Sequence, residues 1–197
     1  TNAAEIKQAL VERGSIFASS SDTEVLVHLI ARSEAPDAEM QIRSALERVE
    51  GAYSLVIGVG RTLYAVVDPR GFRPLVLGRI GKGVVAASET CALDLVGATF
   101  VRELQPGEFV RITDGVVEDL QPLRARPVSR CVFELIYFAR PDSTIFGQSV
   151  DRVRREAGRR LALEHPAPGA DVVFSVPDSS NAMALGFSEA SGIELEH

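Results

Sequence analysis

The sequence predicts an α+β fold, because helical segments come first, short β-rich runs follow, and strands then alternate with helices. Residues 1–51 place apolar side chains at helical spacing. Residues 52–120 break into short runs separated by glycine, proline or Asp-Pro. From residue 131 onward, one strand pattern and one helix pattern follow each other twice. We therefore expect an α+β domain followed by the beginning of an α/β domain.

Three helices are predicted before the first strand. Gly14 ends the first helix, and the second begins near Asp22. The third extends over about residues 36–51 and is expected to turn Met40 and Leu46 inward. A polar run therefore lies directly at the start of the second helix, where carboxylates and hydroxyls commonly act as caps.

The β-rich region is predicted to form an antiparallel meander. Asp114 and Gly115 are typical of a tight hairpin turn between two of its strands. The strands are expected at 53–59, 62–67, 74–77, 84–87, 99–103, 108–112 and 116–120.

A polar segment with two prolines and no periodicity separates the two predicted domains. The predicted division is a first domain at 1–121, a linker at 122–130 and a second domain at 131–197. Within the second domain, strands are predicted at 131–138 and 172–176. A helix over about 148–164 separates them, and a further helix begins near Asn181. This order predicts a βαβ unit with a parallel sheet.

Composition and charge restrict the classes of partner. The net charge of −6 gives no reason to expect binding to nucleic acid or to an anionic membrane. No apolar run has the roughly 18 residues of a membrane span, and no signal peptide pattern opens the chain. The two cysteines, Cys91 and Cys131, lack close metal-ligand spacing and are expected to be reduced. We therefore expect a cytoplasmic protein.

Few side chains are candidates for chemistry on pattern alone. Asp22 fits a helix cap, and its carboxylate would also suit a substrate ammonium group. Thr1 could be an N-terminal nucleophile, but it precedes a helix instead of opening a strand, which argues against that role. Cys91 and Cys131 fit core positions. The five arginines of the helix at 148–164 are expected mostly on its solvated face.

Several short motifs occur in a characteristic order. They are Ser-Asp-Thr-Glu at 21–24, Glu-Gly-Ala-Tyr-Ser at 50–54, Asp-Pro-Arg-Gly-Phe-Arg-Pro-Leu at 68–75, Ala-Ser-Glu-Thr-Cys-Ala at 87–92, Cys-Val-Phe-Glu at 131–134, Tyr-Phe-Ala-Arg-Pro-Asp-Ser at 137–143 and Val-Pro-Asp-Ser at 176–179. In order and spacing the chain resembles the glutamine phosphoribosylpyrophosphate amidotransferase family up to about Ile193. The Ala-Arg-Pro-Asp-Ser block discriminates most, because other glutaminases share the earlier motifs.

The resemblance implies an enzyme with two activities. In that family an N-terminal cysteine releases ammonia from glutamine, and the ammonia displaces pyrophosphate from phosphoribosyl pyrophosphate to give 5-phosphoribosylamine. The implied fold is an αββα N-terminal nucleophile hydrolase domain, the class II glutamine amidotransferase domain, joined to a type I phosphoribosyltransferase domain. This chain would hold the C-terminal part of the first and the beginning of the second. Glutamine and phosphoribosyl pyrophosphate are the implied partners, and a homo-oligomer is expected.

Individual roles follow from matched positions. Asp22 matches the aspartate that binds the glutamine α-amino group. The nucleophilic cysteine, the arginine that binds the glutamine carboxylate and the oxyanion Asn-Gly pair correspond to positions before Thr1. The acidic pair that binds ribose and magnesium corresponds to positions after His197. The resemblance thus implies an internal fragment without a catalytic residue, and we expect this chain alone to be inactive.

Two features of the sequence allow more than one interpretation. Cys131 matches a position that supplies one ligand in family members with an iron-sulfur cluster, but clusterless members can also have cysteine there. The alternatives to the main hypothesis are another class II glutaminase, such as a sugar-phosphate aminotransferase, and a truncated, non-catalytic binding module.

Overall fold

The computed structural model describes residues 1–196, and His197, the last residue of the predicted second domain, lies outside them. The α-helices are α1 (Ala3–Glu12), α2 (Asp22–Ala31), α3 (Ala38–Leu46), α4 (Thr90–Leu95), α5 (Val150–Glu164) and α6 (Asn181–Ser191). The strands are β1 (Ser54–Val59), β2 (Thr62–Val67), β3 (Val76–Ile80), β4 (Gly83–Ala87), β5 (Thr99–Glu103), β6 (Phe109–Thr113), β7 (Val116–Asp119), β8 (Thr144–Ile145), β9 (Gln148–Ser149), β10 (Val172–Phe174) and β11 (Glu194–Glu196). The predicted mixture of helices and strands is confirmed.

The chain folds as two compact units. The first unit contains Thr1–Phe72 and Gln105–Val128, and the second contains Arg73–Leu104 and the residues from Ser129 onward. Residues 73–104 therefore pack with the C-terminal part of the chain, although the predicted first domain at 1–121 includes them. The predicted domain boundaries stay a prediction, because a compact unit need not be an independently folding domain.

The three helices of the first unit share one apolar core with its strands. Asp37 caps α3 by accepting a hydrogen bond from the Met40 amide at 2.9 Å. Helix α3 buries Ile42 and Leu46, but the Met40 side chain is exposed, so the prediction that it faces inward is wrong. The buried members of this core are Ile6, Leu10, Val25, Leu26, Leu29, Ile42, Ala45, Leu46, Tyr64, Val66, Phe109 and Leu123.

The sheet of the first unit is antiparallel, with strand order β1-β2-β6-β7. Asp114 and Gly115 form the two-residue turn between β6 and β7, with φ of 47° and 79°. Positive φ at both positions is what a type I′ turn requires, so the predicted hairpin is confirmed. The prediction of one continuous meander is wrong, because β2 pairs with β6, as in Val66 opposite Phe109.

The second unit holds a three-stranded antiparallel sheet and a helical pair. The sheet has the order β4-β3-β5, and Val76, Leu93 and Ala98 form a buried cluster between it and α4. Strands β10 and β11 pair in parallel, with Val172 opposite Glu194, and α6 connects them. The predicted parallel βαβ unit, with strands at 131–138 and 172–176 around one helix, is wrong, because the strand that pairs with β10 is β11, which follows α6.

One predicted strand is wrong. Residues 131–138 do not form a strand, and Glu134–Phe138 instead form a π-helical turn. Arg154 of α5 explains this geometry, because its Nε and Nη2 donate hydrogen bonds to the carbonyls of Leu135 and Ala139, both at 2.8 Å. These bonds stabilise a turn that no local sequence pattern specifies.

No helix within residues 1–196 combines the length and the apolar character needed to cross a membrane.

Candidate functional site

The serine, aspartate and glutamate of the Ser-Asp-Thr-Glu motif make different contacts at the first turn of α2. Ser21 is the N-cap, and its hydroxyl accepts a hydrogen bond from the Thr23 amide at 3.3 Å. Asp22 is the first helical residue, so the interpretation of Asp22 itself as the cap is wrong by one position. A serine cap satisfies one free amide of the first turn and leaves the neighbouring carboxylate available for other contacts.

Glu24 fixes the loop before α2. Its carboxylate accepts hydrogen bonds from the amides of Ala18 and Ser19, at 2.7 and 2.8 Å, and from the Ser19 hydroxyl at 2.6 Å. The Ser19 hydroxyl bond, followed by the Ala18 amide, lowers the pKa of Glu24 to about 2. Both oxygens of the Glu24 carboxylate therefore already accept hydrogen bonds within the fold, and neither is free to bind a ligand.

Asp22 is the opposite case. Its side chain is exposed, and no group within residues 1–196 forms a hydrogen bond or an ion pair with its carboxylate. The position at the N-terminus of a helix favours a negative charge, because the amides of the first turn carry partial positive charge. The Asp22 carboxylate can therefore accept hydrogen bonds from a cationic ligand such as an ammonium group.

Asp22 lies at the edge of a cavity of about 120 Å³ within the first unit. The lining is mostly apolar and includes Leu26, Leu46 and Leu55. The polar side chains in the lining are those of Thr1, Asp22, Thr23, Glu50 and Tyr53. An apolar cavity with few polar groups is typical of a small-molecule site, because the polar groups then determine the orientation of the ligand.

Asn2 holds two sides of this cavity together. Its Nδ2 donates to the Arg48 carbonyl at 2.8 Å, and its Oδ1 accepts from the Glu50 amide at 2.8 Å. Gly51 follows, with φ of +155°, and a Cβ there would lie 3.0 Å from Cγ2 of Thr1. Because residue 51 is glycine, its backbone can lie close to the Thr1 side chain.

A larger cavity of about 680 Å³ adjoins the first and shares Thr1, Gly51 and Tyr53 with it. Its wall includes Asp68, which is fully buried. The Asp68 carboxylate accepts from the amides of Arg70 and Phe72, at 2.8 and 3.0 Å. These two bonds shape the Asp-Pro-Arg-Gly-Phe loop, as carboxylates commonly do in turns.

Tyr53 connects the two cavities. Its carbonyl accepts a hydrogen bond from the Asp68 amide at 2.9 Å. Burial, and then the negative charge of Asp68, raise the pKa of the Tyr53 phenol. In the sequence, Tyr53 is only part of a predicted strand and of a motif, because its position beside both cavities depends on contacts between distant parts of the chain.

In the second unit, two motifs that are far apart in the sequence contact each other. The Ser143 hydroxyl is buried, donates to Glu89 Oε2 at 2.7 Å and accepts from the Cys91 amide at 3.3 Å. Glu89 Oε2 also accepts from the Arg140 amide at 2.9 Å. The Ala-Ser-Glu-Thr-Cys-Ala and Ala-Arg-Pro-Asp-Ser motifs therefore stabilise each other through hydrogen bonds centred on the buried Ser143 hydroxyl and on Glu89.

Other charged groups in the second unit also support the fold. Arg73 forms an ion pair with the buried Glu134, and its guanidinium lies 4.3 Å from the Phe138 ring centroid. Arg154 is only 2% exposed, so the expectation of a solvated face does not hold for this arginine. Burial lowers the pKa of the Arg154 guanidinium, although its two backbone acceptors compensate much of the lost hydration.

The two cysteines do not form a metal site in the described part of the chain. Cys91 is buried, Cys131 is half-buried, and both are free thiols. Burial raises the pKa of the Cys91 thiol. No cluster of three or more His, Cys, Asp or Glu within residues 1–196 could hold a metal ion. An iron-sulfur cluster commonly needs four ligands, so two separate cysteines do not provide its site.

Comparison with known proteins extends these observations. The glutamine amidotransferase domain family matches residues 1–95. The amidophosphoribosyltransferase of Staphylococcus epidermidis is 46% identical over 196 residues, which cover 99% of this chain and 40% of that protein. The Bacillus subtilis amidophosphoribosyltransferase is 46% identical over 195 residues, covering 99% of this chain and 41% of the relative. The chain is a homologue of the amidophosphoribosyltransferases.

Solved structures agree with this relationship. The structure described as glutamine phosphoribosylpyrophosphate (PRPP) amidotransferase from B. subtilis complexed with ADP and GMP matches with a TM-score of 0.92 and 45% identity. The match covers 99% of the present chain and 43% of the solved chain. A structure of the allosteric regulatory enzyme of purine biosynthesis matches with a TM-score of 0.93 and 45% identity, over 99% of this homologue and 42% of the solved chain. The predicted family resemblance is confirmed, and the homologue spans about two fifths of the length of these relatives.

Proposed function

We propose that this sequence works within an amidophosphoribosyltransferase, which transfers nitrogen from glutamine to phosphoribosyl pyrophosphate. The product is 5-phosphoribosylamine, the first committed intermediate of purine synthesis. The similarity to amidophosphoribosyltransferases over 99% of the chain carries this proposal. It continues through residues 96–196, beyond the part that matches the general glutamine amidotransferase domain. That continuation favours an amidophosphoribosyltransferase over a sugar-phosphate aminotransferase.

The proposed reaction has two steps. In the first, a cysteine thiol loses its proton and attacks the glutamine amide carbonyl, and the C–N bond breaks as that proton passes to the nitrogen, which leaves as ammonia. Water then hydrolyses the thioester to glutamate and restores the thiol. In the second, ammonia attacks the anomeric carbon of phosphoribosyl pyrophosphate, and the bond to pyrophosphate breaks. Among residues 1–196, no cysteine lines either cavity beside Asp22 and Tyr53. That the chain alone does not hydrolyse glutamine stays a prediction.

In this reaction Asp22 would bind the α-ammonium group of glutamine. Its exposed carboxylate, without a partner in the described chain, supports this role, and so does the apolar cavity beside it. Charge-assisted hydrogen bonds between ammonium and carboxylate are short and strong, and they orient the amino acid. Glu24, only two positions away, cannot substitute, because the loop before α2 already occupies its oxygens.

The finer fold assignment is also a proposal. Helices α1–α3 and the sheet β1-β2-β6-β7 share one core, which supports part of an αββα N-terminal nucleophile hydrolase domain. The parallel pair β10 and β11, connected by α6, supports the beginning of a type I phosphoribosyltransferase domain.

Several further properties stay predictions. They are magnesium bound by residues outside this chain, Cys131 as a ligand of an iron-sulfur cluster, a homo-oligomeric state and a cytoplasmic location. For the cluster, the single half-buried thiol of Cys131 would supply at most one of the ligands, so no step of the proposed reaction depends on it.

Kinetics of an Asp22→Ala variant of the full-length enzyme would test the proposed role. We expect the KM for glutamine to rise by about 30-fold or more, because truncating one partner of a hydrogen-bonded charge pair commonly costs about 2–5 kcal/mol. Synthesis from added ammonia should stay at the level of the unmodified enzyme, because ammonia does not use the glutamine site. Both activities are measured as phosphoribosylamine formation, with glutamine or ammonium chloride as nitrogen source.

Asp37→Ala provides the matched control. Asp37 caps α3 in the same helical layer but does not line the cavity that holds Asp22. The control should leave the KM for glutamine unchanged. Equal loss of the glutamine-dependent and ammonia-dependent activities in Asp22→Ala would show that Asp22 only supports the helix, and the proposed binding role would then be rejected.

A further inference from the structure

Asn2 begins α1 but does not use its side chain to cap that helix. Asparagine is among the residues that most favour the N-cap position, because its side-chain oxygen can accept a hydrogen bond from a free amide of the first turn. Asn2 occupies this position in α1. Within residues 1–196, however, its side chain accepts no hydrogen bond from the first turn of the helix. The side chain of Asn2 is therefore available for a different contact.

That contact is with the segment that follows α3. The Asn2 Nδ2 donates a hydrogen bond to the Arg48 carbonyl, and its Oδ1 accepts one from the Glu50 amide, both at 2.8 Å. The backbone amide of Asn2 also donates to the Glu50 carbonyl at 3.3 Å. These hydrogen bonds, which we call the Asn2 clamp, join the start of α1 to residues 48–50. Both ends of the side-chain amide take part, so a single hydroxyl group could not replace them.

The Asn2 clamp brings its neighbours in the chain together at the cavity beside Asp22. Thr1 precedes Asn2, Gly51 follows Glu50, and all but Asn2 itself line that cavity. A Cβ on Gly51 would lie only 3.0 Å from Cγ2 of Thr1, so the Gly51 backbone lies against the Thr1 side chain. Thr1, Glu50 and Gly51 thus form one side of the cavity, which we call the clamped wall. The clamp fixes the distance between the two chain segments that build this wall.

We propose that Asn2 is a positioning residue of the glutamine site, and that its clamp holds the clamped wall at the distance from Asp22 that glutamine requires. This inference rests on the proposed function of the site. Asn2 does not line the cavity, so it acts through Thr1, Glu50 and Gly51. A wall that is fixed before the ligand binds loses less conformational freedom on binding. Loss of the clamp therefore weakens the binding of glutamine.

The Asn2→Ser variant of the full-length enzyme separates positioning from helix capping. Serine is about as good an N-cap as asparagine, but its side chain is too short to span the two contacts of the clamp. We expect the KM for glutamine to rise about fivefold, because part of the free energy of two hydrogen bonds is lost from binding. The kcat with glutamine and the synthesis from added ammonia should stay unchanged, since the loss affects ground-state binding. The melting temperature should change little, because serine can cap α1 instead.

Asp37→Ser is the matched control. It places the same residue at the N-cap of α3, where the capping bond goes to the Met40 amide and neither residue lines the cavity. The control should leave the KM for glutamine unchanged. Equal loss of the glutamine-dependent and ammonia-dependent activities in Asn2→Ser would overturn the proposal, because Asn2 would then only support the fold. An unchanged KM for glutamine in Asn2→Ser would overturn it as well.

Gly51→Ala tests the clamped wall from its other side. The added methyl group would lie 3.0 Å from Cγ2 of Thr1 and should displace the wall, so the KM for glutamine should rise here too. If Asn2 acts through this wall, the double variant should raise the KM by less than the product of the two single effects, because both changes disturb one contact. Two independent effects that multiply would reject the proposed action of Asn2 through the wall.

The Asp22→Ala variant distinguishes this inference from the proposed function. A raised KM for glutamine in Asp22→Ala together with an unchanged KM in Asn2→Ser would reject the clamp and retain the Asp22 site. A raised KM in Asn2→Ser alone would reject the Asp22 contact and retain the clamp as part of the glutamine site. If neither variant changes the KM for glutamine, both assignments fail.

Discussion

The Ser-Asp-Thr-Glu motif of the first unit differs from the motifs at 131–134 and 137–143 of the second unit in how its polar residues are used. In the second unit, Glu134 and Ser143 are buried and ion-paired or hydrogen-bonded, so the motifs that contain them stabilise the fold. In the first unit, the Ser-Asp-Thr-Glu motif lies at the surface and leaves the Asp22 carboxylate without a partner in the described chain. A motif that identifies a family is therefore not always a motif that binds a ligand.

The units also differ in how their helices pack. Helices α1–α3 contact through aliphatic side chains, such as Leu10, Leu29 and Ile42. Helices α5 and α6 approach so closely that a Cβ on Gly158 would lie 1.9 Å from the Met183 carbonyl oxygen. A Cβ on Gly186 would lie 2.0 Å from the Arg155 carbonyl oxygen. Substitutions that shorten a core side chain should therefore destabilise the first unit. Substitutions that add a side chain at Gly158 or Gly186 should destabilise the second.

Gly158→Ala should have the largest effect on stability. The added methyl group meets backbone atoms that cannot rotate away, so α5 and α6 must separate. We expect a loss of about 3 kcal/mol in the free energy of unfolding, the upper part of the usual range for overpacking. The higher helix propensity of alanine, worth about 1 kcal/mol, offsets this loss only partly. Urea unfolding followed by circular dichroism measures the change.

Gly58→Ala in the first unit is the matched control. There an added Cβ meets only Cδ2 of Leu63, at an ordinary 3.7 Å. The control should change the free energy of unfolding by less than about 1 kcal/mol. Gly58 lies on β1, so the pair compares a crowded glycine with one that has space around it. Equal effects of the two substitutions would show that the close approach of α5 and α6 does not make Gly158 sensitive to an added methyl group.

A pair of serine substitutions gives the next largest effect. Ser143→Ala removes a hydroxyl that contacts Glu89 and Cys91, leaving buried groups with fewer partners, and should cost about 1–3 kcal/mol. Ser15 in the first unit is different, because its buried Oγ has no hydrogen-bond partner within the described chain. Ser15→Ala should be neutral or slightly stabilising.

Urea unfolding of both serine variants measures the contrast, with hydrogen exchange reporting where each change acts. Loss of protection should be confined to the second unit in Ser143→Ala. A destabilisation by Ser15→Ala as large as that by Ser143→Ala would show that buried hydroxyls contribute equally in the two units.

Much of the fold follows from local pattern. Gly14 with φ of +86° after α1, the Asp114-Gly115 turn and the helices α5 and α6 all agree with signals read from neighbouring residues. The failures involve distant partners. The pairing of β2 with β6 closes a long loop, and the π-helical turn depends on Arg154 of α5. An apolar run such as 131–138 does not reveal these contacts, because periodicity cannot separate a strand from a short helical turn.

The candidate site was less predictable. Asp22 could be proposed from a capping pattern and a family resemblance, but its role as a glutamine ligand stays a prediction. The position of Tyr53 and Asp68 at one cavity could be seen only in the structure. The hydrogen bond between their backbones forms because the loop at Asp68 returns to the segment before β1. The separate tasks of Asp22 and Glu24 also required hydrogen-bond geometry, since both are acidic residues in one helical turn.

The pH dependence of stability should show the smallest effect, and Glu24 is its source in the first unit. Because its folded pKa is lowered to about 2 from 4.5, its contribution is fully present above the unfolded value and is lost as pH falls through the folded value. The window is therefore about pH 4.5 to 2.

Glu24→Gln should flatten the stability profile of the first unit in that window, measured by acid titration of urea unfolding. Ser19→Ala removes the largest cause of the shift and should narrow the window from its acidic end. An unchanged profile in both variants would show that the loop before α2 is held by other contacts, and Glu24 would then resemble Asp22 as a carboxylate that the fold does not use.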